Sequence, residues 1–286
     1  MKRAAIITAI FAISLFITGC GVNDYDDTPP VPPAGIHVYN GDRMAEITWV
    51  RNRERDIAGY NVYYSMNNYE FKLLGSTTND YFVDRGEDVQ NGDKYYYAVT
   101  AYDYDGNESD LSQDVVYAAP RPEGYNIILD NSMVYASTSG YSFDVFRIRP
   151  YNSIDTDFFF TIDPDGRAYL DIYGDSDPND GKDDGTYIKD MGTTRDIYDI
   201  EFAPETFPNE LYAEAFVGHT YVIWTWNNRF AKIRIKSIGQ NSMTFDWAYQ
   251  TREGEPMLKR TSKERGALDI ESKIKSLKER GIEIHK

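Results

Sequence analysis

The densest run of side chains that could bind a ligand is an acidic, glycine-containing stretch in the second half of the chain. Residues 175–185 read Asp-Ser-Asp-Pro-Asn-Asp-Gly-Lys-Asp-Asp-Gly, so carboxylates alternate with small or polar residues. Calcium takes six to eight oxygen ligands, and closely spaced carboxylates in a loop can supply them. If the stretch binds calcium, its expected ligands are Asp175, Asp177, Asn179 and Asp183. A solvated acidic hairpin loop without metal is the alternative.

The opening of this stretch resembles the Asp-x-Asp-x-Asn start of an EF-hand or of a thrombospondin-type calcium repeat. The resemblance soon ends, because Asp180 stands where an EF-hand needs glycine and Thr186 where it needs a bidentate glutamate. Calcium and a plain acidic loop both remain open, and the sequence indicates no other cofactor.

Residues that could carry acid–base or covalent catalysis are sparse. The three histidines, His37, His219 and His285, lie far apart in the sequence. The chain has no Gly-x-Ser-x-Gly elbow, His-Glu-x-x-His motif, phosphate-binding loop or zinc pattern of cysteines. A carboxylate pair for glycoside hydrolysis remains open, but 46 acidic residues make some such pair inevitable. The sequence therefore favours a protein that is not an enzyme.

Exposed aromatic residues give the remaining chemical lead. Tyr96, Tyr102 and Tyr104 are expected to face solvent in the first half of the chain, and Trp224 or Trp247 in the second half. Aromatic rings bind sugars and proteins because they combine a large apolar face with a polar edge. Burial in the core or in cross-strand pairs is the alternative for the same residues.

The amino-terminal residues are typical of an export signal. Lys2 and Arg3 precede an almost wholly apolar run over residues 4–17, which is shorter than the roughly 20 residues of a membrane-spanning helix. The small residues 18–19 follow, and then Cys20, the only cysteine of the chain. A single thiol cannot form an intramolecular disulfide, so the stability of the folded part must come from packing.

The run Ile17-Thr18-Gly19-Cys20 resembles a bacterial lipobox, Leu-(Ala/Ser/Thr)-(Gly/Ala)-Cys, from which Ile17 departs mildly. The resemblance implies a signal peptide over residues 1–19, cleavage before Cys20, a thioether-linked lipid on its sulfur and acylation, typically with palmitate, of the new amino terminus. Several acyl chains at one residue anchor a protein stably, whereas one chain is marginal. An ordinary signal peptide with an incidental cysteine is the alternative.

The residues after the cysteine bear on localisation. An aspartate directly after the cysteine retains proteobacterial lipoproteins at the inner membrane, and Gly21 is not that signal, which favours a cell-envelope protein of the outer membrane. Asp24, Asp26 and Asp27 resemble the surface-export signal of Bacteroidetes lipoproteins, with a plain acidic spacer as the alternative. Residues 20–33 end in a proline-rich run, so they predict a stiff tether between anchor and body.

Composition favours β structure and excludes some partners. The 286 residues predict about two domains, and 24 tyrosines within a 15% aromatic content are typical of strands. The net charge of −16 repels nucleic acid and anionic membrane surfaces. The membrane partner is therefore expected only through the lipid on Cys20, and nucleic acid is not expected as a partner.

Residues 34–119 resemble a fibronectin type III domain. Short alternating runs over residues 46–50, 60–64 and 94–101 are separated by turns, as in an all-β sandwich. Trp49, the run over residues 56–63 and the run over residues 92–109 match that family in order and spacing. The resemblance implies that Trp49 packs between the sheets and that Tyr95 forms a tyrosine corner. The fold hosts binding and spacing roles but identifies no ligand.

Residues 118–124 indicate a short, fairly stiff hinge, and residues 125–258 resemble no named family. Their patterns predict a second antiparallel β-sandwich or a small barrel. The predicted strands are Tyr125–Leu129, Ser132–Ser137, Tyr141–Arg149, Phe158–Ile162, Ala168–Tyr173, Thr186–Lys189, Ile197–Phe202, His219–Trp226, Phe230–Ser237 and Met243–Gln250. The last three form a predicted meander with a two-residue hairpin at residues 226–229, one buried face and one wet face. Residues 259–286 predict a short, charged helical tail.

Together these patterns predict a lipid-anchored cell-envelope protein for binding or scaffolding. The fibronectin-like domain would act as a spacer that presents the β-rich second domain to an extracellular glycan or protein. The alternative is a surface hydrolase of glycan or peptide with its site in the second domain.

Overall fold

The computed structural model describes residues 26–172 and 185–258. Within these ranges the chain forms seventeen strands and one 3-10 helix, Ala136–Thr138, and every strand pairing is antiparallel. The predicted all-β class is therefore confirmed. Cys20, the ligands expected at residues 175–183 and the predicted helical tail lie outside the described residues.

The first sandwich packs a three-stranded sheet against a four-stranded sheet, which is the fibronectin type III arrangement. The first sheet has the order β1 (Ala34–Gly41), β2 (Met44–Val50) and β5 (Tyr81–Asp84). The second has the order β4 (Lys72–Thr77), β3 (Ile57–Ser65), β6 (Tyr95–Asp103) and β7 (Val116–Ala118).

The core of this sandwich follows the alternation of its strands. Trp49 is 5% exposed and meets the Tyr60 ring edge-on at 5.2 Å between ring centroids. The Tyr95 hydroxyl donates to the Asp88 carbonyl at 2.8 Å and accepts from the Gln90 N–H at 2.8 Å. That is the geometry of a tyrosine corner.

The proline-rich run does not stand free of the first sandwich. The Asn107 side-chain amide donates to the Asp26 carbonyl at 2.7 Å, and the Val31 N–H donates to Glu54 at 2.9 Å. Pro30 and Pro33 are buried. The expected stiff tether over residues 20–33 is therefore docked on the sandwich from residue 26 onward, because the prolines supply apolar surface that packs.

The second sandwich packs two five-stranded sheets around one aromatic core. One sheet has the order β10 (Arg147–Arg149), β9 (Gly140–Ser142), β11 (Phe158–Ile162), β12 (Ala168–Asp171) and β14 (Tyr212–Glu214). The other has the order β13 (Tyr187–Thr193), β15 (His219–Thr225), β16 (Arg229–Ile238), β17 (Ser242–Gln250) and β8 (Glu123–Asp130). A sandwich, rather than a small barrel, is what the two separate sheets form.

The meander predicted over residues 219–250 is present as β15, β16 and β17. Its first turn differs from the prediction, because Thr225 pairs with Arg229 and leaves a loop of residues 226–228. Asn228 has φ 55°, in the left-handed region that asparagine tolerates. A loop of three residues whose last member is left-handed is a common hairpin connection.

The predicted wet face of the meander is wrong at its centre, where this face is buried as well as the one toward the aromatic core. Val222, Lys232 and Ala248 lie side by side on the face opposite the aromatic core, and all three are buried. The Lys232 Nζ donates to the carbonyls of Ile200 and Leu258 at 2.7 Å each. The chain around these two carbonyls therefore covers the face that alternation assigned to solvent.

Two predicted strands are not strands. Ile197–Phe202 belongs to the irregular segment that covers the sheet, with one isolated bridge from Phe202 to Met257. Ser132–Ser137 contains turns and the start of the 3-10 helix, held by Asn131, whose carbonyl accepts from Val134 and Tyr135. The predicted strand Tyr141–Arg149 divides into β9 and β10 around a tight turn. β14, at the edge of its sheet, was not predicted.

The expected hinge is a packed joint. Residues 118–122 are buried. The Ala119 N–H donates to the Asn40 side chain at 3.0 Å, and the Arg121 N–H donates to the Gly41 carbonyl at 3.0 Å. Across the joint, Lys94 of the first sandwich lies 3.1 Å from the Glu255 carboxylate. These contacts tie the hinge residues and the end of the second sandwich to the first.

Candidate functional site

The residues with the clearest sequence signals contribute little to a site in the described part of the chain. Among the described residues, no group of three or more His, Cys, Asp or Glu side chains could hold a metal ion. Within the same ranges, no helix is long and apolar enough to cross a membrane. The calcium and lipidation predictions concern residues 175–183 and Cys20, which lie outside those ranges.

The titratable candidates of the second sandwich have structural surroundings. The His219 Nδ1 lies 2.9 Å from Asp190 Oδ2, and its ring packs at 5.0 Å from Phe216. Asp171 on β12 is partly buried, and this burial raises the pKa of its carboxyl against the opposing effect of a hydrogen bond with Thr161.

The tyrosines expected to face out of the first sandwich do so unequally. Tyr104 is 78% exposed at the turn after β6. Tyr96 is only partly exposed because its ring meets Tyr117 at 6.0 Å. The Tyr102 ring covers Gly59, where a Cβ would lie within 3.0 Å of it. The three tyrosines do not therefore share equally exposed positions.

The first aromatic surface of the second sandwich surrounds Trp224, and we call it the Trp224 surface. Its four rings belong to Tyr187, Phe207, Trp224 and Phe230, all partly exposed. The Trp224 ring lies 5.7 Å from Tyr187 and 5.8 Å from both phenylalanines, and it is nearly parallel to Phe230 at 22°. The indole N–H donates to Asn228 at 3.0 Å, so hairpin and rings hold one another in place.

Trp247, the other tryptophan expected to face solvent, is buried in the core at 4% exposure. It pairs with Gly124 of β8, and a Cβ at position 124 would lie within 2.8 Å of three atoms of the indole. Of the two tryptophans offered as alternatives, Trp224 reaches the surface and Trp247 does not, because the odd-numbered positions of β17 face the aromatic core while Trp224 of β15 faces the opposite side.

A polar cluster lies at the tip of the β15–β16 hairpin and was not anticipated from the sequence. Asp144 Oδ1 accepts from the Tyr249 hydroxyl at 2.9 Å, from the Asn227 amide at 3.0 Å and from Arg229 Nη1 at 3.2 Å. Burial raises the pKa of Tyr249 to about 12, so the phenol stays protonated as a donor. These contacts fix the Asp144 carboxyl group and the Arg229 guanidinium side by side, each about one-third exposed.

Two exposed aromatic residues lie close in sequence to members of this cluster. Trp226 is 58% exposed and precedes Asn227 in the hairpin loop, and Phe146 is 44% exposed two residues after Asp144. Phe146 has φ 53°, a left-handed conformation that costs a bulky residue about 1–3 kcal/mol. Its ring stacks on Trp247 at 5.3 Å and 9°, which helps to hold it there. We refer to Asp144, Phe146, Trp226, Asn227 and Arg229 as the hairpin-tip site.

The hairpin-tip site escaped sequence reasoning because its two halves are 83 residues apart. Asp144 and Phe146 fell inside the predicted strand Tyr141–Arg149, where they read as alternating positions. The available signal was the run Trp226-Asn227-Asn228-Arg229, which was interpreted only as a turn.

Comparisons with known proteins concern a minor part of the chain. No family model matches it. A stretch of 103 residues is 35% identical to an amylopullulanase of Thermoanaerobacterium thermosulfurigenes, covering 35% of this chain and 5% of that protein. A stretch of 119 residues is 33% identical to an amylopullulanase of Thermoanaerobacterium saccharolyticum, covering 39% of this chain and 9% of that protein. The chain therefore matches only a small fraction of these relatives' length.

Solved structures resemble about a third of the chain. A beta-1,2-glucanase from Parabacteroides distasonis is 28% identical with a TM-score of 0.29, covering 34% of this chain and 14% of that chain. An Fn3-like protein from Clostridium thermocellum is 23% identical with a TM-score of 0.27, covering 32% of this chain and 95% of that chain. Likenesses at these TM-scores carry no argument about activity. The fibronectin type III assignment of the first sandwich rests on its strand order and core.

Proposed function

We propose that this protein is a lipid-anchored cell-envelope protein that binds an extracellular glycan through its second sandwich. The observation that carries the proposal is the Trp224 surface, four partly exposed aromatic rings held by one another and by Asn228. Aromatic rings of this kind offer an apolar face to the C–H groups of a sugar ring, while polar groups at their edge bond hydroxyls.

Charge and similarity support a glycan ligand. The net charge of −16 disfavours anionic polysaccharides, so a neutral glycan is the expected ligand. The curated relatives are named amylopullulanases, which connects part of this chain with proteins named for action on glycans. The proposal assigns binding, not catalysis, to this chain. Release of reducing sugar from pullulan by the pure protein would support the hydrolase alternative instead.

The membrane anchor is supported by the sequence of residues 17–20 and by the short basic and apolar run before it. A lipid on Cys20 would leave only residues 21–25 between the anchor and the first docked residues of the tether. The first sandwich would then lie close to the membrane and support the second one.

Affinity electrophoresis tests the glycan proposal. The pure protein is run through native gels that contain pullulan, amylopectin or an anionic polysaccharide such as pectate. We expect retardation by at least one neutral polysaccharide and about tenfold weaker retardation for Trp224→Ala, since an aromatic contact contributes about 1.4 kcal/mol. Tyr104→Ala is the control, because Tyr104 is an exposed aromatic residue of the first sandwich. Unretarded mobility in every gel would refute the proposal.

Metabolic labelling tests the anchor separately. Cells that express the protein with labelled palmitate should incorporate label into the wild type, and the protein should sediment with membranes. Cys20→Ser should lose both the label and the sedimentation. Digestion by an external protease in intact cells then reports whether the anchored protein faces outward. A labelled Cys20→Ser protein would contradict lipidation at this residue.

A further inference from the structure

We propose that the hairpin-tip site is a second sugar-binding site, which recognises a neutral sugar ring through a pair of neighbouring hydroxyl groups. It lies apart from the four rings of the Trp224 surface, although the same hairpin loop contributes to both. Asn228 bonds Trp224, whereas Asn227 bonds Asp144. The inference rests on the proposed glycan-binding function but names a different set of residues and a more specific ligand.

The two carboxyl oxygens of Asp144 are hydrogen-bonded unequally. Its Oδ1 is met by three donors, from Tyr249, Asn227 and Arg229. Among the described residues, Oδ2 is met by Asn227 alone, at 3.1 Å. A carboxylate has about four lone-pair positions, so Oδ2 keeps acceptor capacity on a side chain that is 37% exposed. The oxygen is fixed in place and can accept from a ligand hydroxyl.

Arg229 supplies the complementary hydrogen-bond donor. Its guanidinium carries five N–H groups, of which Nη1 bonds Asp144, and the side chain is 34% exposed. An acceptor and a donor held together in this way can bond two neighbouring hydroxyls, one donating to Asp144 and one accepting from Arg229. Charge-assisted hydrogen bonds of this type are stronger than neutral ones. Adjacent ring hydroxyls of a neutral sugar provide this pair.

Exposed aromatic residues belong to the same two chain segments as the polar pair. Trp226 is 58% exposed directly before Asn227, and Phe146 is 44% exposed two residues after Asp144. Phe146 is held at φ 53° by a stacking contact with Trp247. Strained backbone that is maintained by its surroundings is typical of binding sites. The rings give the site apolar faces for sugar C–H groups next to the groups that bond the hydroxyls.

Four variants separate this inference from the Trp224 surface. Trp226→Ala and Asp144→Asn alter the hairpin-tip site, and Asp199→Asn and Tyr104→Ala are controls. Asp199 forms a 2.8 Å ion pair with Arg195 on the surface of the same sandwich, so it matches the Asp144–Arg229 pair. In gels with pullulan or amylopectin, each hairpin-tip variant should lower the apparent affinity about tenfold, and both controls should equal the wild type. Urea unfolding of Asp144→Asn accompanies the gels, to exclude loss of the fold.

Two further measurements distinguish direct contact with the sugar from a purely structural role of these residues. Pullulan should quench part of the tryptophan fluorescence of the wild type, and Trp226→Phe should lose that part. Maltohexaose should compete with pullulan, whereas its per-O-methylated form, which cannot donate hydroxyl hydrogen bonds, should not. Equal competition by both forms would overturn recognition of hydroxyls at this site.

The outcomes distinguish the two proposals. If Trp224→Ala weakens binding and both hairpin-tip variants bind like the wild type, the hairpin-tip site is refuted and glycan binding stands. If the hairpin-tip variants alone weaken binding, the inference stands and the Trp224 surface is not the contact. If the wild type is not retarded by any polysaccharide, both proposals are overturned.

Discussion

The substitution Gly124→Ala tests how the largest side chain of the second core is accommodated. Gly124 lies opposite Trp247 in the pairing of β8 with β17, and an added Cβ would lie within 2.8 Å of Nε1, Cε2 and Cζ2 of the indole. Real Cβ contacts are essentially never that short. The indole is 4% exposed, and the rings of Phe146 and Tyr141 pack against it at 5.3 and 5.8 Å. Neither the indole ring nor strand β8 can therefore move without a substantial loss of packing.

The expected cost follows from this geometry. Overpacking a well-packed core by one methyl group costs about 1–3 kcal/mol, and a clash with three atoms of a confined ring belongs at the upper end. Replacing glycine by alanine also stabilises the folded protein by about 0.4–1 kcal/mol, because it reduces the conformational entropy of the unfolded chain. We expect a net loss of about 2 kcal/mol, which lowers the unfolding midpoint by roughly 4–8 °C for a unit of this size.

The assay is thermal and urea unfolding followed by circular dichroism, with Gly239→Ala as the matched control. Gly239 lies in the same sandwich, and its nearest atoms to an added Cβ are at 3.5 Å, an ordinary contact. Gly239→Ala should stay within about 1 kcal/mol of the wild type. Combining Gly124→Ala with Trp247→Phe should cost less than the sum of the single changes, because the smaller ring leaves room. Equal midpoints for the Gly124→Ala and Gly239→Ala proteins would refute the packing described for Trp247.

Two further substitutions test buried polar groups. Burial and the neighbouring Arg121 hold the pKa of Lys232 well below its usual value, so the folded protein binds fewer protons than the unfolded chain at pH values between the two pKa values. The difference in unfolding free energy between the wild type and Lys232→Met should therefore increase as the pH rises toward the ordinary lysine pKa of about 10.4, by at most about 1.4 kcal/mol per pH unit. A difference that stays constant in urea unfolding from about pH 6 to 9.5 would contradict this. The Tyr97 hydroxyl donates to Asp84 at 2.9 Å inside the first core. Tyr97→Phe should therefore lower the free energy of unfolding in urea by about 1.5–3 kcal/mol. The control Tyr69→Phe, at an 88% exposed position, should leave it almost unchanged.

The sequence was most informative where one face of a strand packs against one core. The alternation of Tyr95, Tyr97, Val99 and Ala101 in β6 predicted a buried row, and all four side chains lie in the first core. The same period of two identified β15, β16 and β17, although the loop between β15 and β16 is one residue longer than predicted. Alternation is reliable there because successive side chains of a strand point to opposite faces.

Alternation failed where both faces of a strand are buried. Trp224 and Ile223 are neighbours in β15, and both are apolar, so their order does not reveal which one faces the core. The segment that covers Lys232 includes the Ile200 carbonyl and also Phe207, whose ring contacts Trp224, and it forms no regular strand. Irregular segments have no period to read, so neither their position nor the burial they cause follows from the pattern.

The joint between the sandwiches bears directly on both binding surfaces. The Gly254 N–H donates to the Asn228 carbonyl at 2.6 Å, so the segment after β17 supports the hairpin loop that contributes to both surfaces. The next residue, Glu255, accepts from the Tyr117 hydroxyl at 3.1 Å and pairs with Lys94, both in the first sandwich. The contacts therefore run from the first sandwich through residues 254–255 to the hairpin loop. A fibronectin type III unit that only set a distance from the membrane would need no such contacts. This one also supports the end of the second sandwich where we propose that the glycan binds.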